Sequence, residues 1–271
     1  MQAPVIMGVV NVTPDSFSDG GLFLDAAAAV EHGRRLAAEG AAILDVGGES
    51  TRPGSDPVPE DEELRRVLPV VEQLAGGDAR ISIDTTKSAV ARAALEAGAT
   101  IVNDVSALRN DPALAGIVAE AGAACCLMHM LGEPRTMQDD PRYDDVVSEV
   151  KSFLEERLAF AVEEGIAEER VWLDPGIGFG KTVEHNLELL RRLDELVAIG
   201  RPVVIGTSRK SFLGKLAGGR DETHRLPGTI ATNVLALERG AMIFRVHDVA
   251  QNVDALHVAA ATFRLDVGEG A

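Results

Sequence analysis

The chain has 271 residues, of which 46% are hydrophobic and 25% are charged, as in an ordinary globular protein. Its net charge of −17 argues against a nucleic acid or an anionic membrane as a partner, since both require a basic surface. No apolar run approaches the roughly 18 residues needed to cross a bilayer, and no basic region precedes an apolar stretch near Met1. A cytoplasmic protein is therefore expected.

Short apolar runs, rich in β-branched residues, alternate along the chain with longer amphipathic stretches. Eight of these runs are predicted to be strands: 5–11, 42–46, 80–84, 100–103, 125–130, 171–174, 203–207 and 242–246. A glycine stands shortly before several of them, at positions 40, 98, 122 and 240, where it is expected to end the preceding helix.

The clearest helical pattern covers residues 145–164. Apolar residues recur there at helical spacing and form one stripe: Val146, Val150, Phe153, Leu154, Leu158, Ala161 and Val162. The charged residues Glu155, Glu156 and Arg157 are predicted to lie on the opposite, solvent-facing side.

Eight strands, each followed by a helix, predict a (β/α)8 TIM barrel, in one domain spanning residues 1–271. A doubly wound open sheet is the alternative. The positions of polar residues favour the barrel, because nearly every apolar run ends in one, whereas in an open sheet only the strands beside the crevice need them. These residues are Asn11, Asp45, Asp84, Asn103, His129, Asp174, Lys210, Arg245 and His247.

Cys125 and Cys126 are adjacent in an apolar run. Neighbouring positions on a strand point to opposite faces, so the two are poorly placed to form a disulfide with each other. They are predicted to be buried thiols rather than a redox pair, since no C-x-x-C spacing is present.

Several cationic residues follow predicted strands and would converge on the mouth of a barrel: Arg52, Lys210, Arg245 and His247. Arginine offers a rigid fork of donors that suits phosphate oxygens, and the loops after the last two strands are the usual phosphate site of this fold. The group therefore indicates an anionic substrate, a phosphate or a diphosphate. The alternative is that each residue is an ordinary surface charge.

Asp84, Asn103 and Asp174 each end an apolar strand, which would put them deep in the same mouth. Such groups can hold a flat heterocycle by its edge, accepting from ring N–H and amino groups. The alternative is that each caps the helix that follows it.

Two polar segments, 12–21 and 50–59, are longer than simple strand-to-helix turns and are predicted to be lids or binding loops.

The six histidines show no metal-ligand spacing, and His129 is interpreted as a packed residue rather than a zinc ligand. Residues 174–182 end in Gly-Lys-Thr, but Pro175 stands where a P-loop requires glycine.

Five motifs stand in a fixed order along the chain: NVTPDSFSDGG (11–21), ESTRPG (49–54), DPGIGFGK (174–181), SRK (208–210) and RVHD (245–248). Together with IDT (83–85), VND (102–104) and CLMHM (126–130), they resemble the pattern of the dihydropteroate synthase family of pterin-binding enzymes. The resemblance covers the chain from about residue 5 to residue 260.

The resemblance implies that 6-hydroxymethyl-7,8-dihydropterin diphosphate condenses with p-aminobenzoate, by an SN1-like displacement, to give dihydropteroate and pyrophosphate. The implied pterin contacts are Asp84, Asn103, Met128, Asp174, Phe179 and Lys210. The implied diphosphate ligands are Arg52, Arg245 and His247, which with Lys210 form the catalytic set. Thr51, Pro53 and Ser211 would line the aminobenzoate site.

The same resemblance implies that Asn11 binds a Mg2+ carried on the diphosphate, and that the protein is a homodimer. The two long loops are expected to close over the bound diphosphate and to complete the aminobenzoate site. A pterin-dependent methyltransferase of the corrinoid type and a non-catalytic pterin-binding paralogue are the alternatives.

Overall fold

The computed structural model describes residues 3–13, 21–51 and 54–263. Its strands are β1 (Val5–Asn11), β2 (Ile43–Gly47), β3 (Arg80–Asp84), β4 (Ile101–Asp104), β5 (Ala124–Met128), β6 (Val171–Asp174), β7 (Val204–Ile205) and β8 (Ile243–Val246). The helices of the described residues are α1 (Gly21–Ala38), α2 (Glu60–Leu74), α3 (Ser88–Glu96), α4 (Leu114–Ala121), α5 (Val146–Glu163), α6 (Val183–Arg191), α7 (Leu193–Val197), α8 (Ser211–Leu216), α9 (Leu226–Glu238) and α10 (Val249–Thr262). Among these helices, none is long and apolar enough to cross a bilayer.

All eight strands are parallel and form one sheet in the order β6-β5-β4-β3-β2-β1-β8-β7. A bridge between Leu173 and Val203 joins the two ends of that order, so the sheet closes into a barrel. The predicted (β/α)8 barrel is confirmed, and the open sheet is wrong.

Side chains alternate along each strand between the barrel interior and the surrounding helices. On β1, Met7 belongs to the interior cluster that also holds Ile43 and Trp172. Its neighbour Ile6 belongs to the larger cluster between the sheet and the helices. Cys125 and Cys126 divide in the same way between these two clusters, and both are buried free thiols, as predicted.

The register of the sheet brings several polar strand ends to the same level. Asn11 pairs with Gly47, Gly47 with Asp84, and Asp84 with Asn103 across four adjacent strands. Asn11, Gly47 and Asn103 follow interior residues of their own strands at even spacing, so they face the barrel interior as well. Asn11, Asp84 and Asn103 therefore place their side chains above the apolar interior cluster, at the carboxyl end of the barrel.

Helix α5 agrees with the predicted span, and the Asp145 side chain caps it by accepting a hydrogen bond from the Ser148 N–H. The prediction for Arg157 is wrong, because that side chain is buried rather than solvent-facing. Its Nε donates to the Ala107 carbonyl at 2.8 Å, and its guanidinium lies over the Phe160 ring. Val162, predicted to lie in the apolar stripe, is 41% exposed.

Candidate active site

A cavity of about 520 Å3 opens at the carboxyl ends of the strands. All of the predicted site residues that the structure describes line it: Asn11, Thr51, Asp84, Asn103, Met128, Asp174, Phe179, Lys210, Ser211, Arg245 and His247. Arg52 and Pro53 lie outside the described residues, as do positions 14–20 of the first long loop. The barrel thus brings together side chains that are up to 236 positions apart in the sequence, from Asn11 to His247.

Arg245 lines the cavity and forms two ion pairs. Its Nε donates to Asp45 Oδ2 at 2.6 Å, and its Nη2 donates to Asp84 Oδ2 at 2.8 Å. Asn103 Nδ2 donates to the same Asp45 oxygen at 3.1 Å. Burial raises the pKa of Asp84, and the Arg245 guanidinium opposes that rise. One arginine therefore fixes two acids from neighbouring strands.

Asp84, Asn103 and Asp174 do not cap the helices that follow them. The N-cap positions of α3, α4 and α6 are held by Lys87, Ala113 and Thr182. Since all three strand-end residues line the cavity instead, the capping alternative is wrong.

Asp174 and Lys210 also line the cavity. Asp174 Oδ1 accepts from the Gly176 N–H at 2.7 Å. Lys210 Nζ donates to the Ile177 carbonyl and lies 4.4 Å from the centre of the Phe179 ring. Burial lowers the pKa of Lys210 to about 8 and raises the pKa of Asp174.

An apolar wall completes this side of the cavity. Phe179 packs against a cluster of Val105, Met128, Met130 and Met137. Polarisable methionine side chains and an aromatic ring, with an ammonium group over that ring, are suited to a flat and partly polar heterocycle.

His247 stands beside Arg245 at the end of β8. Its backbone N–H donates to Ser208 Oγ at 3.1 Å, and its ring Nδ1 lies 2.9 Å from the same hydroxyl. The next residue, Asp248, accepts two hydrogen bonds from Arg209, which holds the segment after β7 against the segment after β8. Cations and hydroxyls from both segments consequently face one part of the cavity.

Residues 7–247 match the sequence family described as Pterin binding enzyme. Over 261 residues the chain is 48% identical to "Dihydropteroate synthase" of Escherichia coli (strain K12). The alignment covers 96% of this chain and 92% of that relative. Over 266 residues it is 51% identical to "Dihydropteroate synthase" of Mycobacterium leprae (strain TN), with 96% and 94% covered. The chain belongs to the dihydropteroate synthase family.

Solved structures of dihydropteroate synthases share this barrel. The enzyme of Xanthomonas albilineans, solved with 4-aminobenzoic acid, superposes with a TM-score of 0.91 at 50% identity, over 97% of this chain and 94% of that one. The same enzyme in complex with 7,8-dihydropteroate gives a TM-score of 0.88 at 47% identity, over 97% and 95%.

Several residues in or beside this cavity were not predicted from the sequence to belong to the site. The sequence predicts Asp45 as a polar strand end but not as a site residue, although it holds both Arg245 and Asn103. Asp45 lies beside the cavity, whereas Glu49, Arg209 and Arg225 line it. Two of these residues could have been found from the sequence, because Glu49 lies in the ESTRPG motif and Arg209 lies in the SRK motif.

His129, interpreted as a packed residue, is buried and makes an edge-on contact with the Phe153 ring, with 4.8 Å between ring centres. Its Nδ1 lies 2.9 Å from the buried Lys181 Nζ. Burial lowers the pKa of His129 to about 2 and also lowers the pKa of Lys181. The pair supports the 174–181 segment from behind rather than facing the cavity.

Proposed function

We propose that this chain is a dihydropteroate synthase, a transferase that joins 6-hydroxymethyl-7,8-dihydropterin diphosphate to p-aminobenzoate in folate biosynthesis. The observation that carries the proposal is that one cavity combines an acidic and amide edge, an apolar wall and a cationic end. Relatives of nearly the same length bear this name, and a related structure holds the product.

The acidic edge suits the pterin ring. A dihydropterin presents amino and ring N–H donors along one edge, and Asp84, Asn103 and Asp174 supply acceptors at three strand ends. Phe179 and Met128 would cover the flat face, with Lys210 reaching the polar ring atoms. Buried acceptors discriminate strongly, because a ligand without the matching donors leaves them unpaired.

The cationic end suits the diphosphate. Arg245 and His247, with Arg52 from the adjoining ESTRPG motif, would bind its oxygens and stabilise the charge that develops as the C–O bond breaks. The bonding electrons leave with pyrophosphate, and the electron-rich dihydropterin stabilises the positive charge left on its methylene carbon.

The second substrate then forms the new bond. The neutral aryl amine of p-aminobenzoate attacks the methylene carbon, and the proton displaced from nitrogen passes to solvent. Thr51 and Ser211 line the cavity where this substrate would lie, with Pro53 from the same motif. An SN1-like displacement of this kind requires no enzyme nucleophile.

We also propose that Mg2+ accompanies the diphosphate. Asn11 ends β1 on the cavity wall and offers an amide oxygen, a donor that this hard cation accepts. Within the described ranges no cluster of three acids, histidines or cysteines could hold a metal alone, which suits an ion bound largely by phosphate oxygens. When bound, the ion would neutralise charge on the leaving group.

The metal proposal is tested by chelation. Turnover should fall to background in excess EDTA and return when Mg2+ is restored. Asn11→Ala should raise the Mg2+ concentration needed for half-maximal activity, because one protein ligand is lost. Full activity in excess chelator would show that the metal proposal is wrong.

The experiment that tests the main proposal is pyrophosphate release, measured with both substrates and with each omitted in turn. Release that requires both substrates and yields dihydropteroate is expected. A pterin-dependent methyltransferase would release no pyrophosphate, and a non-catalytic binder would bind the pterin without turnover. Either result would overturn the proposal.

We further propose that the enzyme is a cytoplasmic homodimer. Leu235 on α9 and Val258 on α10 are 48% and 69% exposed, and these two helices pack against each other. A contiguous exposed apolar patch marks an interface, and these two side chains are the residues we propose for it. Light scattering should give twice the monomer mass, and Val258→Glu should reduce it; a monomer at micromolar concentration would contradict the proposal.

A further inference from the structure

Beside the cavity, three charged side chains from separate elements form a partly buried network. Lys87 Nζ contacts Glu49 Oε2 and Glu63 Oε2, and the Glu63 side chain on α2 has no exposed surface. Burial lowers the pKa of Lys87, but its hydrogen bonds to both carboxylates outweigh burial and raise it. The lysine is therefore a cation that neutralises acids on two sides.

Glu49 connects this network to the rim of the cavity. Its Oε2 also accepts a hydrogen bond from the Val58 N–H at 3.2 Å, so one carboxylate oxygen holds both ends of the chain between residues 49 and 58. Here the rim segment means residues 49–51 and 54–58. Within it, Ser55 Oγ donates to the Ser50 carbonyl, and Thr51 lines the cavity.

Lys87 is itself fixed to the barrel. Its backbone N–H donates to Thr85 Oγ1 at 3.2 Å, and it is the N-cap residue of α3, three positions after Asp84. The Thr85 N–H donates in turn to the Asn103 carbonyl on β4. The cation thus stands on rigid strand ends, while its partner Glu49 begins the rim segment.

We propose that Lys87 is a positioning residue for the second substrate, holding Glu49 so that the rim segment presents Thr51 to the arylamine. This inference rests on the proposed function. Lys87 does not line the cavity, so it acts through Glu49 rather than by touching either substrate. Its loss should consequently affect p-aminobenzoate and leave the pterin contacts of Asp84, Asn103 and Asp174 in place.

A double variant tests this inference without leaving a buried charge unpaired. In Lys87→Met alone, Glu63 would be buried without its cation and the protein could unfold. Lys87→Met/Glu63→Gln removes the cation and the buried carboxylate charge together. Glu63→Gln alone keeps the Lys87–Glu49 pair, and Lys87→Arg keeps the charge. Arg92→Met, which removes an exposed ion pair from the same helix, is the matched control.

The double variant should raise the KM for p-aminobenzoate by about tenfold, the effect of losing one hydrogen bond to a charged group. Its affinity for the pterin diphosphate should stay within about twofold of the native value. Glu63→Gln, Lys87→Arg and Arg92→Met should stay near the native KM. An unchanged KM in the double variant, or an equal loss of pterin affinity, would overturn the inference.

Hydrogen exchange gives a readout that does not depend on turnover. The amides of Gly54, Ser55, Asp56 and Val58 should exchange about tenfold faster in the double variant than in Glu63→Gln, since the hydrogen-bonded Glu49 is released. Unchanged exchange there would also overturn the inference. If the native protein gave no dihydropteroate, the proposed function would fail, and exchange at 54–58 would still decide the role of Lys87.

Discussion

Arg245 links the two ends of the proposed substrate. It donates to Asp45 and Asp84 in the structure, and Asp84 is also a proposed pterin acceptor. A diphosphate would compete with these carboxylates for the same guanidinium. Because two acids already orient that guanidinium, little reorganisation is needed when an anionic ligand arrives.

The strand-end acceptors can be tested one at a time. Replacing Asp84, Asn103 or Asp174 by alanine leaves donors of the pterin edge unpaired, which costs about 1–3 kcal/mol. Calorimetry should therefore show pterin binding weakened by about 5- to 150-fold in each variant. Asn110→Ala is the control, since that exposed side chain donates to Thr86 and does not line the cavity. Unchanged pterin affinity in all three variants would contradict the assignment.

Lys210 should make activity depend on pH. Burial lowers its pKa to about 8, which Asp174 counteracts and Arg245 reinforces. The ammonium form prevails below that pH, so kcat/KM for the pterin diphosphate should fall above pH 8 as the charge is lost. In Lys210→Met, kcat/KM should be low and should show no such fall between pH 7 and 9. A fall that persisted in this variant would assign the titration to another group.

At the scale of single elements, the segment after β6 lies close against the residue that follows β5. Gly176 has φ +66°, and a Cβ at this position would stand 1.8 Å from the His129 carbonyl oxygen. The same segment carries Phe179, and its Gly176 N–H donates to Asp174 Oδ1. Only glycine allows the turn to lie this close to the end of β5.

Gly122 and Gly176 have nearly equal φ angles but differ in how closely other atoms surround them. Substituting each by alanine therefore distinguishes the cost of backbone strain from the cost of a steric clash. Gly122, with φ +60°, ends α4, and a Cβ added there would meet nothing within 4 Å. Gly122→Ala should therefore lower the free energy of unfolding by about 1–2 kcal/mol, the strain alone. Gly176→Ala should lower it by more than about 4 kcal/mol or prevent folding, since backbone atoms would clash. Equal losses in urea denaturation would contradict this account.

The strands and the ends of helix α5 could be predicted because each depends on local pattern. Apolar runs placed all eight strands, although β7 is shorter than predicted: beyond Ile205, Thr207 bonds to Asn233 on α9. Arg157 could not be predicted in the same way. It is buried because two carbonyls of the β4–α4 connection, at Ala107 and Leu108, require a donor, and that need arises only in the folded chain.

The site was predictable to a similar extent. Seven of the nine polar residues predicted at strand ends line the cavity, because a barrel gathers all such ends at one mouth. The partners of those residues were not predictable. Asp45 and Lys87 act through contacts with residues up to 200 positions away, and no spacing in the sequence records such pairs.

For the whole molecule, the net charge of −17 contrasts with the cations gathered in the cavity. Exposed charges separated by more than about 10 Å are largely screened at 0.1 M salt. The acidic surface therefore does little to repel a diphosphate that has reached the mouth, where Arg245, Lys210 and His247 act at short range. The closed barrel, rather than the net charge, determines which charges the substrate meets.

The order of substrate binding is a property of the whole molecule. The segments expected to complete the aminobenzoate site adjoin the diphosphate groups, so p-aminobenzoate should bind weakly to the empty enzyme and tightly once pterin and pyrophosphate are present. Linkage requires the reverse effect to be equal: p-aminobenzoate must strengthen the joint binding of pterin and pyrophosphate by the same factor. For a coupling of about 1–3 kcal/mol that factor is about 5- to 150-fold, and calorimetric titrations in both orders measure it. Tight p-aminobenzoate binding to the empty enzyme would show that the two sites form independently.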